Sequence, residues 1–188
     1  MTIRIADLRD IPALIALFPA VQSLHATAEP ALFTKKPLPE VVATEFRKMM
    51  EDSNALLLMA EDTTPCGYAY AKFIDREKGW FWHAHRVCYI SHVVVQSDMR
   101  RRGVARSLVS RLLSEASARG YDRIELDVWS FNQDAKSAFQ KLGFEVFNER
   151  MEFRRKKGRT RRQSQRRDLS RRVRPKVNRN EESESSSD

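Results

Sequence analysis

The chain has 188 residues, 34 Lys and Arg against 25 Asp and Glu, a net charge of +9 and two cysteines. That length suits one domain with a sizeable core plus some extra sequence. No apolar run approaches the roughly 20 residues of a bilayer crossing, and no signal-like pattern precedes the alternation Thr2-Ile3-Arg4-Ile5, so the expected location is cytoplasmic with no membrane partner. Cys66 and Cys88 lack metal or redox spacing and are expected as small buried hydrophobes in a reducing compartment.

The charge is unevenly placed. Residues 154–188 hold 14 of the Lys and Arg and 5 of the Asp and Glu, which leaves 20 of each sign in residues 1–153. A neutral body therefore carries a basic extension with an acidic, Ser-rich end. That extension has almost no large apolar side chains with which to offset its ordering entropy, so 154–188 is expected to be disordered. A basic stretch of this kind, 154–179, suits phosphate neutralisation on a polyanion or nucleic acid.

In chain order, residues 2–6 alternate as a strand, and Asp7 and Asp10 ahead of Ile11-Pro12 mark a helix start. Ile11, Leu14, Ile15, Phe18 and Val21 give that helix an apolar stripe, with Pro19 placed to kink or split it. Residues 26–39 contain three prolines and read as a long loop into a helix over 40–51. Two strands, 55–60 and 67–73, flank the turn Asp62-Thr63-Thr64-Pro65. Residues 75–85, with Trp80, Trp82, His83 and His85, read as a hairpin end or a substrate-facing loop. The two histidines are spaced for one face of a strand, but no third ligand is evident and no metal is assigned.

A fourth strand over 89–96 precedes the run Arg100-Arg101-Arg102-Gly103-Val104-Ala105, and an amphipathic helix over 104–118 follows, closed by Arg119-Gly120. Gly103 permits close backbone approach, and the first N–H groups of the helix lack intrahelical partners and sit at its positive end. With three arginines beside it, such a turn suits a pyrophosphate better than a carboxylate. Residues 123–129 alternate, with Ile124, Leu126 and Val128 on one face and Glu125, Asp127 and Trp129 on the other. A short helix from Asn132 or Ser130 to Lys141 ends at Leu142-Gly143, and 144–147 and 151–153 read as two closing strands. The alternation of strands and helices indicates an α/β fold with a mixed sheet covered on both faces.

The order strand, Arg100-x-x-Gly103-x-Ala105, helix, a strand containing Leu126-Asp127-Val128, then Asn132-x-x-Ala135 and Leu142-Gly143-Phe144, resembles the GNAT superfamily of acyl-CoA-dependent N-acetyltransferases over residues 2–153. The resemblance implies a mixed, mainly antiparallel sheet with a splayed pair of parallel strands, and acetyl-CoA as co-substrate. By the same resemblance Val93, Val94 and Val95 offer backbone groups to the pantetheine arm, and Arg100, Arg101, Arg102, Gly103, Val104, Ala105 and Arg106 surround the pyrophosphate. Asn132 then lies near the thioester end. Phe139 stands where the family commonly has a tyrosine thought to protonate the leaving thiolate; it can pack on the cofactor but donate nothing, which leaves three options: the thiolate departs unaided or takes a proton from water, Tyr89, Ser130 or Ser137 substitutes, or the domain is catalytically weak. Asp127 is the expected base, or the group that orders a water serving as base, with a structural carboxylate as the bland alternative. His92 is expected as a buried, satisfied histidine pointing away from Val93 and Val95. His25 precedes the 30–33 segment, where family members build a substrate wall, and Trp129 shares a face with Asp127.

The expected activity is transfer of acetyl from acetyl-CoA to a primary amine of a small-molecule acceptor by direct attack in a ternary complex. Acetylation of a protein N-terminus or lysine, and a non-catalytic acyl-CoA-binding module with a polyanion-binding tail, are the alternatives. The acceptor is unnamed, and a homodimer is left open.

Overall fold

The most apolar runs of the chain form the middle of a sheet. A computed structural model describes residues 1–155; the basic extension expected to be disordered lies, from residue 156 on, outside the described residues. Within Met1–Glu145, β1 (Thr2–Ile5), β2 (Ala55–Glu61), β3 (Pro65–Arg76), β4 (His85–Val95) and β5 (Arg123–Leu126) make one five-stranded sheet in the order of the chain. β2 and β3 are buried along most of their length, as strands covered on both faces must be, and they read as continuous apolar runs for that reason. The first three pairings are antiparallel. β4 and β5 are parallel, paired only from Val87 opposite Arg123 to Ile90 opposite Leu126.

Helices cover both faces. α1 (Ile11–Leu17) and α3 (Pro39–Glu51) bury Ile11, Leu14, Leu17, Val42, Ala43 and Phe46 against one side of the sheet, together with Tyr68 and Tyr70. α4 (Val104–Ala118) packs on the other, burying Val104, Leu108, Leu112 and Ala116 at helical spacing. Gly67 lets α4 come close: a Cβ there would meet the Val94 carbonyl oxygen at 2.6 Å and Val104 Cγ1 at 3.3 Å. The expected split at Pro19 is real, since α1 ends at Leu17 and α2 (Pro19–Ala28) starts with its proline in the first turn, where a missing N–H costs nothing.

Several expectations need correction. β4 starts at His85, four residues earlier than the pattern indicated, and β5 stops at Leu126, which leaves Asp127, Val128 and Trp129 beyond the ladder. The closing strands expected at 144–147 and 151–153 are not strands. Among the described residues 146–155 has no helix or strand, and Val146, Met151 and Phe153 are exposed. Alternation makes a strand only where a neighbour accepts its backbone hydrogen bonds. Contrary to the reading of short apolar runs, Leu8–Ala28 taken as one helical stretch has 21 residues and is apolar enough to cross a bilayer by length and composition. Core helices pass the same test, and here Pro19 interrupts the stretch while Leu14 and Leu17 are buried beside the sheet.

Arg4 ties the sheet edge to the first helix. Its guanidinium makes two bonds of 2.7 Å to the Asp10 carboxylate and also meets Glu61. Asp10 is buried, and its carboxylate accepts the Asp7 N–H as well. Arg4 is the main reason the Asp10 carboxyl is held below the usual carboxylate range.

Candidate active site

The site begins where the parallel strands stop pairing. Beyond Ile90 and Leu126 they share no ladder, and β4 carries a register shift against β3 at Tyr70/Ala71, where Ala71 opposes Ile90 and Tyr70 opposes His92. Residues 92–95 remain paired to β3 on one side, with Ser91 the extra residue at the shift. Their edge toward β5 is open, and Val93, Val94 and Val95 lie on it. An open strand edge presents N–H and C=O groups to an extended ligand.

That edge leads into the basic turn. A 3-10 turn (Ser97–Met99) and residues 100–103 precede α4, whose N-cap is Gly103 with φ 85°. Arg101 also has positive φ, 62°. No side chain caps α4, so its first N–H groups have no capping acceptor, and the left-handed residues fold the preceding backbone into a concavity of the kind that holds anions. Nothing lies within 4 Å of a Cβ built on Gly103, so glycine is needed here for its angle and not for space. Arg100, Arg101, Arg102 and Arg106 are all exposed, and the Arg100 guanidinium lies along the surface, 3.4 Å from the Val95 carbonyl oxygen and 3.5 Å from that of Ala20. Arg100 thus joins the end of β4 to α2. These elements fit a pantetheine pyrophosphate: an open edge for the arm and an uncapped, positively charged helix start for the phosphates.

On the opposite side of β4 from Val93 and Val95 lie the groups suited to proton transfer. The Tyr89 hydroxyl donates to Asp127 Oδ2 at 2.8 Å, which holds the exposed carboxylate at the mouth of the gap. His92 points to the same side. Its ring is 6.0 Å from those of Tyr68 and Tyr70, and its buried Nδ1 has no hydrogen-bond partner among the described residues. The Tyr68 hydroxyl is buried and unpartnered too. The expectation of a satisfied histidine is therefore wrong at this nitrogen. Burial, and secondly the nearby His25, lower the His92 pKa from its ordinary value, so the ring is neutral at pH 7.

An aromatic wall stands beside Asp127. Trp129 is stacked on Phe131 with ring centres 5.8 Å apart and meets Phe33 at 5.3 Å, while His25 contacts Phe33 at 5.0 Å and Phe131 at 5.6 Å. His25 Nδ1 lies 2.9 Å from the Val21 carbonyl oxygen, an acceptor only, so Nδ1 is the donor. Gln22 Nε2 donates to the Thr34 carbonyl at 2.6 Å, pinning the loop that carries Phe33. Phe131 and Tyr68 were not anticipated from the sequence. Phe131 belongs to an irregular loop, and Tyr68 lies in an apolar strand that reads as plain core.

Asn132 is the N-cap of α5 (Gln133–Gln140), its Oδ1 accepting the Ala135 N–H at 3.2 Å. Capping occupies the oxygen and leaves the amide nitrogen as a donor. Phe139 packs edge-on against Phe144 at 5.7 Å. Glu125, the other polar group on the Asp127 face, is buried and paired with Arg76 and Arg123, which makes it structural.

A mixed sheet whose parallel strands part beside an uncapped basic helix start defines a transferase of the acyl-CoA-using class. Residues 18–144 match the model of the acetyltransferase (GNAT) family, and the chain belongs to that family. The co-substrate is accordingly acetyl-CoA, and the kind of reaction is acyl transfer. Among curated proteins, human N-acetyltransferase 8 is 36% identical over 53 residues, 28% of this chain, and the match spans 23% of that relative. The fold is similar to that of the tetramutant of the BH1408 protein from Bacillus halodurans (24% identical, TM-score 0.78, covering 82% of this chain and 99% of that one). It also resembles a predicted acetyltransferase solved with acetyl-CoA from Clostridium acetobutylicum (20%, TM-score 0.61, 81% and 95%). An aminoglycoside 6'-N-acetyltransferase from Acinetobacter haemolyticus (18%, TM-score 0.66, 83% and 99%) has the same fold.

Proposed function

We propose that the protein acetylates a primary amine of a small molecule, and that the Tyr89–Asp127 pair at the opening between β4 and β5 is the observation that carries this reading. Bound acetyl-CoA would supply an activated acetyl group on a thioester. Val93, Val94 and Val95 would bind its arm through their backbone, and residues 100–106 its pyrophosphate. Asp127 then attracts the acceptor's ammonium and takes its proton, directly or through one water, with Tyr89 holding the carboxylate in place. The freed amine attacks the thioester carbonyl, the C–S bond breaks as the amide forms, and the amine's second proton passes through water to the departing thiolate. Trp129, Phe131, Phe33 and His25 present an apolar wall against which the body of the acceptor packs and from which water is excluded. Structural neighbours named for aminoglycoside and glucosamine-6-phosphate N-acetylation support a small amine over a protein acceptor.

His92 is a second candidate for the proton acceptor, favoured by its buried, unpartnered Nδ1. The test is release of free thiol from acetyl-CoA across a panel of amines, with Asp127→Asn and His92→Gln alongside. Acetyl-CoA binding without amine-dependent thiol release would instead establish a binding module.

A further inference from the structure

The connection between β3 and β4 ends in three consecutive aromatic residues turned to solvent: Trp80 is 93%, Phe81 63% and Trp82 52% exposed. The site described above does not use them. β4 runs 11 residues from His85 to Val95, and at about 3.3 Å per residue this puts the tip some 30 Å from the basic turn. The tip is an ordered turn. The Gly79 N–H donates to the Trp82 carbonyl at 3.1 Å, and a side chain at Gly79 would run into the Trp82 indole. Trp80 contacts Phe81 at 4.6 Å between ring centres and 61° between planes, and Phe81 contacts Trp82 at 4.4 Å and 42°.

Exposed apolar surface of this kind, contiguous and rimmed by polar groups, marks a place where something binds. Two observations select the occupant. The planes of neighbouring rings meet at 61° and 42°, so the tip is a wedge and not a row of parallel faces on which successive nucleic-acid bases stack. Such a wedge, with two indole N–H groups, matches the boundary between acyl chains and headgroups, where aromatic rings have one end apolar and the other wet. The second observation is charge. Glu77 and Lys78 cancel beside the tip, so the cationic charge comes from the sequence of 154–188, which holds the entire +9 excess, the composition that draws a protein to anionic lipid. One weak anchor gives marginal binding, and an apolar insertion together with a polybasic segment gives a stable one.

We propose that the 80–82 tip is a peripheral anchor that inserts into the interfacial layer of an anionic bilayer, in place of the expected absence of a membrane partner. The full chain is tested by co-sedimentation with phosphatidylcholine vesicles, with and without phosphatidylserine, while tryptophan emission is followed. Wild type should bind the anionic vesicles with a blue shift and be quenched by brominated lipid. The variant carrying Trp80→Ser, Phe81→Ser and Trp82→Ser, checked for an unchanged melting temperature, should bind at least about tenfold more weakly. Added salt should weaken both proteins. The proposal is overturned if wild type ignores the vesicles, if brominated lipid leaves its emission unchanged, or if the folded variant binds as wild type does. Loss in the variant of single-stranded oligonucleotide binding, with no vesicle binding by wild type, would assign the tip to nucleic acid. If the triple substitution does not fold, Trp129→Phe leaves Trp80 and Trp82 as the sole tryptophans, and emission from that variant unchanged by brominated lipid overturns the proposal.

Discussion

At Gly103 the constraint is an angle. With φ at 85° and open space where a side chain would stand, Gly103→Val costs backbone strain of about 1–2 kcal/mol without any clash. Because that strain falls on the turn ahead of α4, the expected result is a several-fold rise in the acetyl-CoA dissociation constant together with a melting point lowered by a few degrees. Arg101→Ala should weaken binding less, since its exposed side chain contributes charge and the turn's backbone carries the geometry. Isothermal titration of both variants checks the order. The proton acceptor is also decided by single residues. Asp127→Asn should lower kcat by about 10²–10⁴-fold, and His92→Gln much less. If His92 were the acceptor, its neutral form would be the active one. Burial and His25 lower its pKa, and Tyr68 and Tyr70 are the other titratable groups facing its ring. The acid limb of kcat/KM would then lie below the ordinary histidine value of about 6.5 and vanish in His92→Gln.

Among the elements, α4 and the end of β4 act as one piece because Gly67 lets them approach. Gly67→Val would push against the Val94 carbonyl and Val104, displacing the very turn that opens α4. Overpacking of this kind costs about 1–3 kcal/mol, and here the expected loss of acetyl-CoA affinity should exceed that of Arg101→Ala although Gly67 reaches no phosphate. A binding isotherm together with a thermal melt measures both effects. The helix start was legible in the sequence, since Arg-Arg-Arg-Gly-Val-Ala sits between a strand pattern and a helix pattern. The need for Gly67 was not, because its neighbours come from residues far along the chain. The end of β5 shows the same division. Alternation continues through Trp129, but the ladder stops at Leu126, where β4 has its irregularity after Ile90, and that parting is what opens the site.

For the molecule as a whole, the pair of Arg4 and Asp10 joins sheet edge to helix start and sets part of the response to acid. The folded pKa of Asp10 lies below its unfolded value, so the stabilisation is present above the ordinary carboxylate range and is lost as pH falls through the folded pKa. Asp10→Asn should destabilise the protein by about 2 kcal/mol near neutrality, and urea titrations should show the gap to wild type closing at acid pH.

The order of strands and helices, the basic glycine turn, the neutrality of the body and the candidate carboxylate could all be read from the chain itself, because they rest on periodicity, backbone angle and composition, which are local. It took the folded molecule to show that His92 carries a buried nitrogen without a partner among the described residues, that Tyr89 binds Asp127, that His25 of α2 meets Phe33 and the Trp129 and Phe131 of the loop after β5 in one wall, and that residues 144–147 form no strand. Each of these depends on which surfaces the fold brings together and which it leaves in water, and neither is encoded in the spacing of neighbouring residues.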